Sequence, residues 1–139
     1  MDLNALVQRL NPNCFRALGL AAERSRGQGH WFVEPEHLLL ALLDEEQGDL
    51  ACCLSEAAIP ADRLREEIQR TQAQFKTGCT RMPVFSVQLV ELLEGAILLA
   101  TFQRLALVRS ALLLLALLTR ERLRSQLAQG MPLLLGIQA

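Results

Sequence analysis

The chain has 139 residues, 51% of them hydrophobic and 21% charged, and a formal net charge of -1. That length supports one domain, and that apolar content excludes an intrinsically disordered chain. The near-neutral balance leaves no cationic footprint for phosphate, so no nucleic-acid partner is expected.

Aromatics make up only 4% and Tyr is absent, which favours helix over sheet. Leu3, Leu6, Val7 and Leu10 stand at helical spacing and predict a short leading helix over 1–10. Asn11-Pro12-Asn13 ends it. Pro12 suits the first turn of a second helix, whose stripe of Cys14, Phe15, Leu18, Ala21 and Ala22 runs to the break at Gly27-Gln28-Gly29. After His30-Trp31-Phe32-Val33, the run Glu34-Pro35-Glu36 opens a third helix, with Pro35 at its first position and the acids complementing the helix dipole. Trp31 is expected in the core. Gly48 precedes a short helix over 50–58, and Ile59-Pro60-Ala61-Asp62 opens another that turns Leu64, Ile68 and Phe75 inward. Residues 76–85, with Thr77-Gly78-Cys79-Thr80, carry no periodicity and read as a linker. Ser86 then caps a helix through Leu89, Leu92, Leu93, Ala96 and Leu99. The apolar run Ala111 to Leu118 lies between Arg109 and Arg120, short of the ~20 residues a bilayer requires, and reads as a buried core helix. No membrane partner is expected.

No chemistry-bearing motif emerges. Cys14, Cys52, Cys53 and Cys79 form no C-x-x-C, and with His30 and His37 they reach no metal-ligand spacing. Buried thiols are expected, and His37 is expected to be a hydrogen-bonded structural histidine. No phosphate loop, nucleophile elbow or H-E-x-x-H occurs, so catalytic residues, metals and cofactors are all expected to be none.

The chain repeats itself. An offset of 75 carries Leu38 to Leu43 onto Leu113 to Leu118 without a gap, and takes Leu18 to Leu93, Ala21 to Ala96, Gln28 to Gln103 and Val33 to Val108. A duplicated helical unit buries its apolar face against its own copy. The expectation is an all-α, pseudo-two-fold duplicated four-helix repeat with an additional N-terminal helix. Its single domain, 1–139, divides into a leading helix 1–10, a first repeat 12–75, a linker 76–85 and a second repeat 86–139. Met131 to Leu135 suggests that the last helix of the second copy is cut off or displaced.

Two such repeats carrying Glu-His-Leu-Leu-Leu-Ala-Leu-Leu, here Glu36 to Leu43, resemble the Clp N-domain of Hsp100 unfoldases over nearly the whole chain. Leu6-Val7-Gln8-Arg9-Leu10-Asn11-Pro12 resembles the ClpV branch, the AAA+ unfoldases of type VI secretion. Phe85-Ser86, Leu89-Val90-Glu91-Leu92-Leu93 and Val108-Arg109-Ser110 agree with it. Trp31-Phe32 is bulkier, and Arg104-Leu105-Ala106-Leu107 more apolar, than that pattern.

The resemblance implies a non-catalytic domain of a cytoplasmic bacterial ATPase that forms a hexamer through AAA+ modules outside this chain. It implies recognition of an N-terminal helix of the small sheath subunit (TssC/VipB-like), leading to sheath disassembly and recycling. By resemblance, the partner-helix groove lies between the outer side of the first helix and the start of the helix after the linker, with Ala5, Gln8, Arg9, Phe85 and Leu89 as its residues. The alternatives are a general Clp-type N-domain that binds unfolded segments or adaptors, and a stand-alone helical assembly protein that dimerises through the Leu-rich second repeat.

Overall fold

The computed structural model describes residues 3–44 and 49–119. In chain order these form α1 (Leu3–Gln8), α2 (Pro12–Gly27), β1 (Phe32–Val33), α3 (Pro35–Leu43), α4 (Asp49–Glu56), α5 (Ala61–Gln72), β2 (Val84–Phe85), α6 (Val87–Phe102) and α7 (Ser110–Thr119). The fold is all-α, apart from two strands of two residues each. The expected end of the second repeat, 120–139, lies outside the described residues.

The 75-residue offset is written into the backbone. It carries α2 onto α6 end to end, 16 residues each, and carries the start of α3 onto the start of α7. Both long helices open on a polar N-cap that satisfies an otherwise orphaned amide. The Asn11 side chain accepts from the Cys14 N–H at 2.8 Å, and the Ser86 hydroxyl accepts from the Leu89 N–H at 3.1 Å. Both helices also close on the same Schellman turn. The His30 N–H donates to the Ser25 carbonyl at 3.0 Å, and the Leu105 N–H to the Ala100 carbonyl at 2.8 Å. The turning residues are Gly29, at φ 71°, and Arg104, at φ 57°.

Two parallel pairings bind the halves to each other. Val33 pairs with Phe85, and Leu10 pairs with Val108. Shifted by 75 residues, each pair becomes the other, so every repeat lends one extended residue to its copy. The Ser86 N–H donates to the Val33 carbonyl at 3.1 Å and the Asn11 N–H to the Val108 carbonyl at 2.8 Å.

α2 packs on α3, and α6 packs on α7; α3 also meets α5 and α6, while α4 meets α7. All nine residues of α3 are buried, as suits a helix that is apolar around its circumference. The central core comprises Leu6, Leu18, Leu38, Leu39, Leu64, Ile68, Leu89, Leu93, Leu113 and Leu117. At the surface, Asp44 beyond α3 pairs with Arg24 of α2 and, at 2.7 Å, with Arg65 of α5. Burial opposes ionisation of Asp44, yet the hydrogen bonds from Arg65 and Arg24 hold its carboxyl below the usual range.

Three expectations need correction. Only Cys14 of the four thiols is buried; Cys52 is exposed, and Cys53 and Cys79 are half-buried. α5 ends at Gln72, so Phe75 lies in the bend beyond it rather than on the helix. Val84–Phe85, the last two residues of the stretch read as linker, are paired as β2.

Candidate functional site

α1 packs against α6 and buries Leu6, with Leu10 buried just beyond its end. Its other side is open, since Ala5 and Gln8 are exposed. The helix has only six residues and is too short to hold itself together in water. What fixes it is its junction with the second repeat. The Val108 N–H donates to the Arg9 carbonyl at 2.7 Å, and Arg9 Nε donates to the Ala106 carbonyl at 3.0 Å.

The five residues expected to line a partner groove divide accordingly. Ala5 and Gln8 present free surface. Half-buried Arg9 is engaged with the 105–108 loop and so clamps α1 in place. Phe85 sits half-buried on β2, packed against the core. Leu89 is 0% exposed. It therefore offers no surface to a partner, because its turn of α6 faces the core.

On the other side of the β1–β2 pairing, a cavity of about 440 Å³ is lined by His30, Trp31, Phe32, Glu34, Gln74, Phe75, Lys76, Ser86, Val87 and Gln88. Its rim is aromatic and apolar: Phe32 is 49% exposed and Val87 69%. Trp31 is half-buried here rather than in the core. Its Nε1 donates to the Thr77 carbonyl at 3.0 Å, and Lys76 and Arg81 lie 5.0 and 5.7 Å from its ring centre. The Cys79 N–H donates to the Gly29 carbonyl at 3.0 Å, so the segment after α5 is fastened across the 28–34 loop.

Beneath this rim two histidines seven residues apart meet across the turn between α2 and α3. The Glu34 N–H donates to His37 Nδ1 at 2.9 Å. Neutral His37 therefore carries its proton on Nε2 and donates it to His30 Nδ1, 2.8 Å away. That places the proton of His30 on its own Nε2. The Phe75 ring lies 5.4 Å from His30 and 5.5 Å from His37. Burial pushes His37 down to about 4, aided by His30, and lowers His30 as well. The structural role expected for His37 is thus present, but its partner is His30, which no helical spacing reveals. Glu36, expected to complement the dipole, stands in the first turn of α3 and is buried; burial and then the charge of Glu34 push its carboxyl up to about 7. Among the described residues no group of three or more His, Cys, Asp or Glu could hold a metal ion, and no helix is long and apolar enough to cross a membrane.

Residues 9–130 match the family model of the Clp repeat (R) N-terminal domain. The chain belongs to that family. Among solved Clp N-domains, that of ClpV from Vibrio cholerae is 31% identical, with a TM-score of 0.81 over 94% of this chain and 82% of that one. The N-terminal domain of the ClpV1 ATPase from E. coli is 29% identical, with a TM-score of 0.82 over 97% and 91% of the two chains. A ClpV N-domain in complex with a VipB peptide is 31% identical, with a TM-score of 0.77 over 88% and 76%. The Clp N-domain is a binding domain, and its duplicated helical frame is the one described above.

Proposed function

We propose that this Clp N-domain is the substrate-recognition module of a type VI secretion AAA+ unfoldase, binding an N-terminal helix of a contractile-sheath subunit and promoting sheath disassembly and recycling. The observation that carries this reading is the likeness to the ClpV N-domain bound to a VipB peptide. The open side of α1, with Ala5 small enough for close helix approach and Phe85 as an aromatic contact, supports a groove for an amphipathic helix. In this reading the chain supplies binding surface alone, and nucleotide hydrolysis belongs to AAA+ modules of a hexamer. One short helix burying a few apolar side chains gives affinity on the order of micromolar. Six sites in a ring raise the avidity for a polymeric sheath.

Calorimetric titration with a peptide from the start of the sheath subunit tests this. Saturable binding is expected, weakened roughly ten-fold or more by Ala5→Arg and by Phe85→Arg with the helical circular dichroism unchanged. A folded wild-type domain that takes up no sheath peptide overturns the reading in favour of a general Clp-type module.

A further inference from the structure

Arg9 ties α1 to the 105–108 loop, and that tie decides what stands at the end of the open side of α1. Ala5 and Arg9 are four residues apart, so their side chains share one face of the helix, about 6 Å apart along its axis. Arg9 Nε meets the Ala106 carbonyl at 3.0 Å, so the face that begins at exposed Ala5 ends against the loop. Leu10 pairs in parallel with Val108, and one residue back along each segment sets Leu107 beside Arg9.

Val108 is 0% exposed and Leu107 is 42% exposed. Extended backbone alternates its side chains, so with Val108 turned to the core Leu107 turns outward. The first repeat alternates in the same way at the equivalent positions, where Val33 is 0% exposed and Phe32 49%. An outward apolar side chain beside the end of α1 is thus built into the frame.

We infer that Leu107 is a further apolar contact for the sheath-subunit helix, about one helical turn along from Ala5, with Arg9 fixing the distance between the two. The inference rests on the reading that this helix lies along the open side of α1, with which Leu107 is continuous. The spacing specifies the partner's chemistry. An amphipathic helix presents apolar side chains three or four residues apart on one face, so two of them in that relation reach Ala5 and Leu107 together. Leu105 has a different setting, because it lines a cavity between α4 and the start of α7 with Cys52, Cys53 and Leu112, and neither Arg9 nor Leu107 is in that lining.

Calorimetric titration of the whole chain with the sheath-subunit peptide tests this. Leu107→Gln is expected to weaken binding roughly five-fold or more, and Leu107→Met to keep it within about two-fold of wild type. The same change at the neighbouring exposed leucine, Leu105→Gln, leaves the affinity unchanged, and thermal unfolding is unchanged in all three. A double-mutant cycle between Leu107→Ala and alanine substitutions along the peptide locates the contact: one apolar peptide position loses most of its effect in the variant. Wild-type binding that Ala5→Arg blocks and Leu107→Gln leaves intact overturns this contact while the sheath reading stands. Equal losses from Leu107→Gln and Leu105→Gln, or a cycle without coupling at any position, overturn it too. A folded wild-type domain that takes up no peptide removes both.

Discussion

The loops before α3 and α7, residues 28–34 and 103–109, share one backbone path and differ in what lies over them. The first is closed by Phe75 and the segment after α5, and beneath that cover sit His30 and His37, both buried, next to buried Glu36 of α3. At the second, α1 is attached through Arg9 and Leu10, while Leu105 and Leu107 remain 39% and 42% exposed. Caps, Schellman turns and exchanged pairings thus fix the duplicated frame, and the covering segment decides which side chains it can bury. The frame tolerates either a polar or an apolar loop.

The frame should answer equally to damage in both halves. Leu18→Ala and Leu93→Ala remove equivalent buried side chains of α2 and α6, and each is expected to cost about 3 kcal/mol in urea unfolding. Costs differing by more than about 2 kcal/mol would break the equivalence of the two cores.

The covered loop alone should show a buried titration. Suppressed ionisation of Glu36 contributes stability below its ordinary value near 4.5, and this contribution is lost as pH rises towards about 7. His37 runs the other way. Its contribution is present above its ordinary 6.5 and is lost as pH falls towards about 4. Glu36→Gln removes the first slope and keeps the second, so the variant gains on wild type by about 2–3 kcal/mol between pH 4.5 and 7. Denaturation curves across that range check this, and a gap that does not grow with pH would contradict the burial of Glu36.

Smaller changes sharpen the comparison at the turns. Gly29 and Arg104 share the left-handed position, which strains an arginine and not a glycine. Arg104→Gly is expected to raise stability by about 1 kcal/mol, whereas Gly29→Ala lowers it by a similar amount. Arg9→Ala removes one exposed hydrogen bond and should cost about 0.5–1 kcal/mol, read as faster amide exchange at Val7 and Leu10 before any fall in melting temperature.

Much of the frame was legible because its signals are local. Pro12 and Pro35 mark helix starts at the positions the structure gives them, and Val33 and Val108 hold the register of the repeat. The site was less legible, because apolar character does not say which way a side chain faces. Leu89 looks like groove surface by position and is core by packing. Trp31 looks like core by size, yet is held half-exposed between two cations and a carbonyl. The pairing of His30 with His37 depends on a turn that brings seven-residue neighbours together, and β2 is too short to leave an alternating pattern.

The exchanged pairs Val33–Phe85 and Leu10–Val108 make the two halves a clasp with two hooks. A protease cut within 76–82 would sever the chain between the hooks and release neither fragment. Each half on its own would lack the strand partner and the core face that the other supplies. The duplicated halves are therefore one interlocked unit rather than two independent ones.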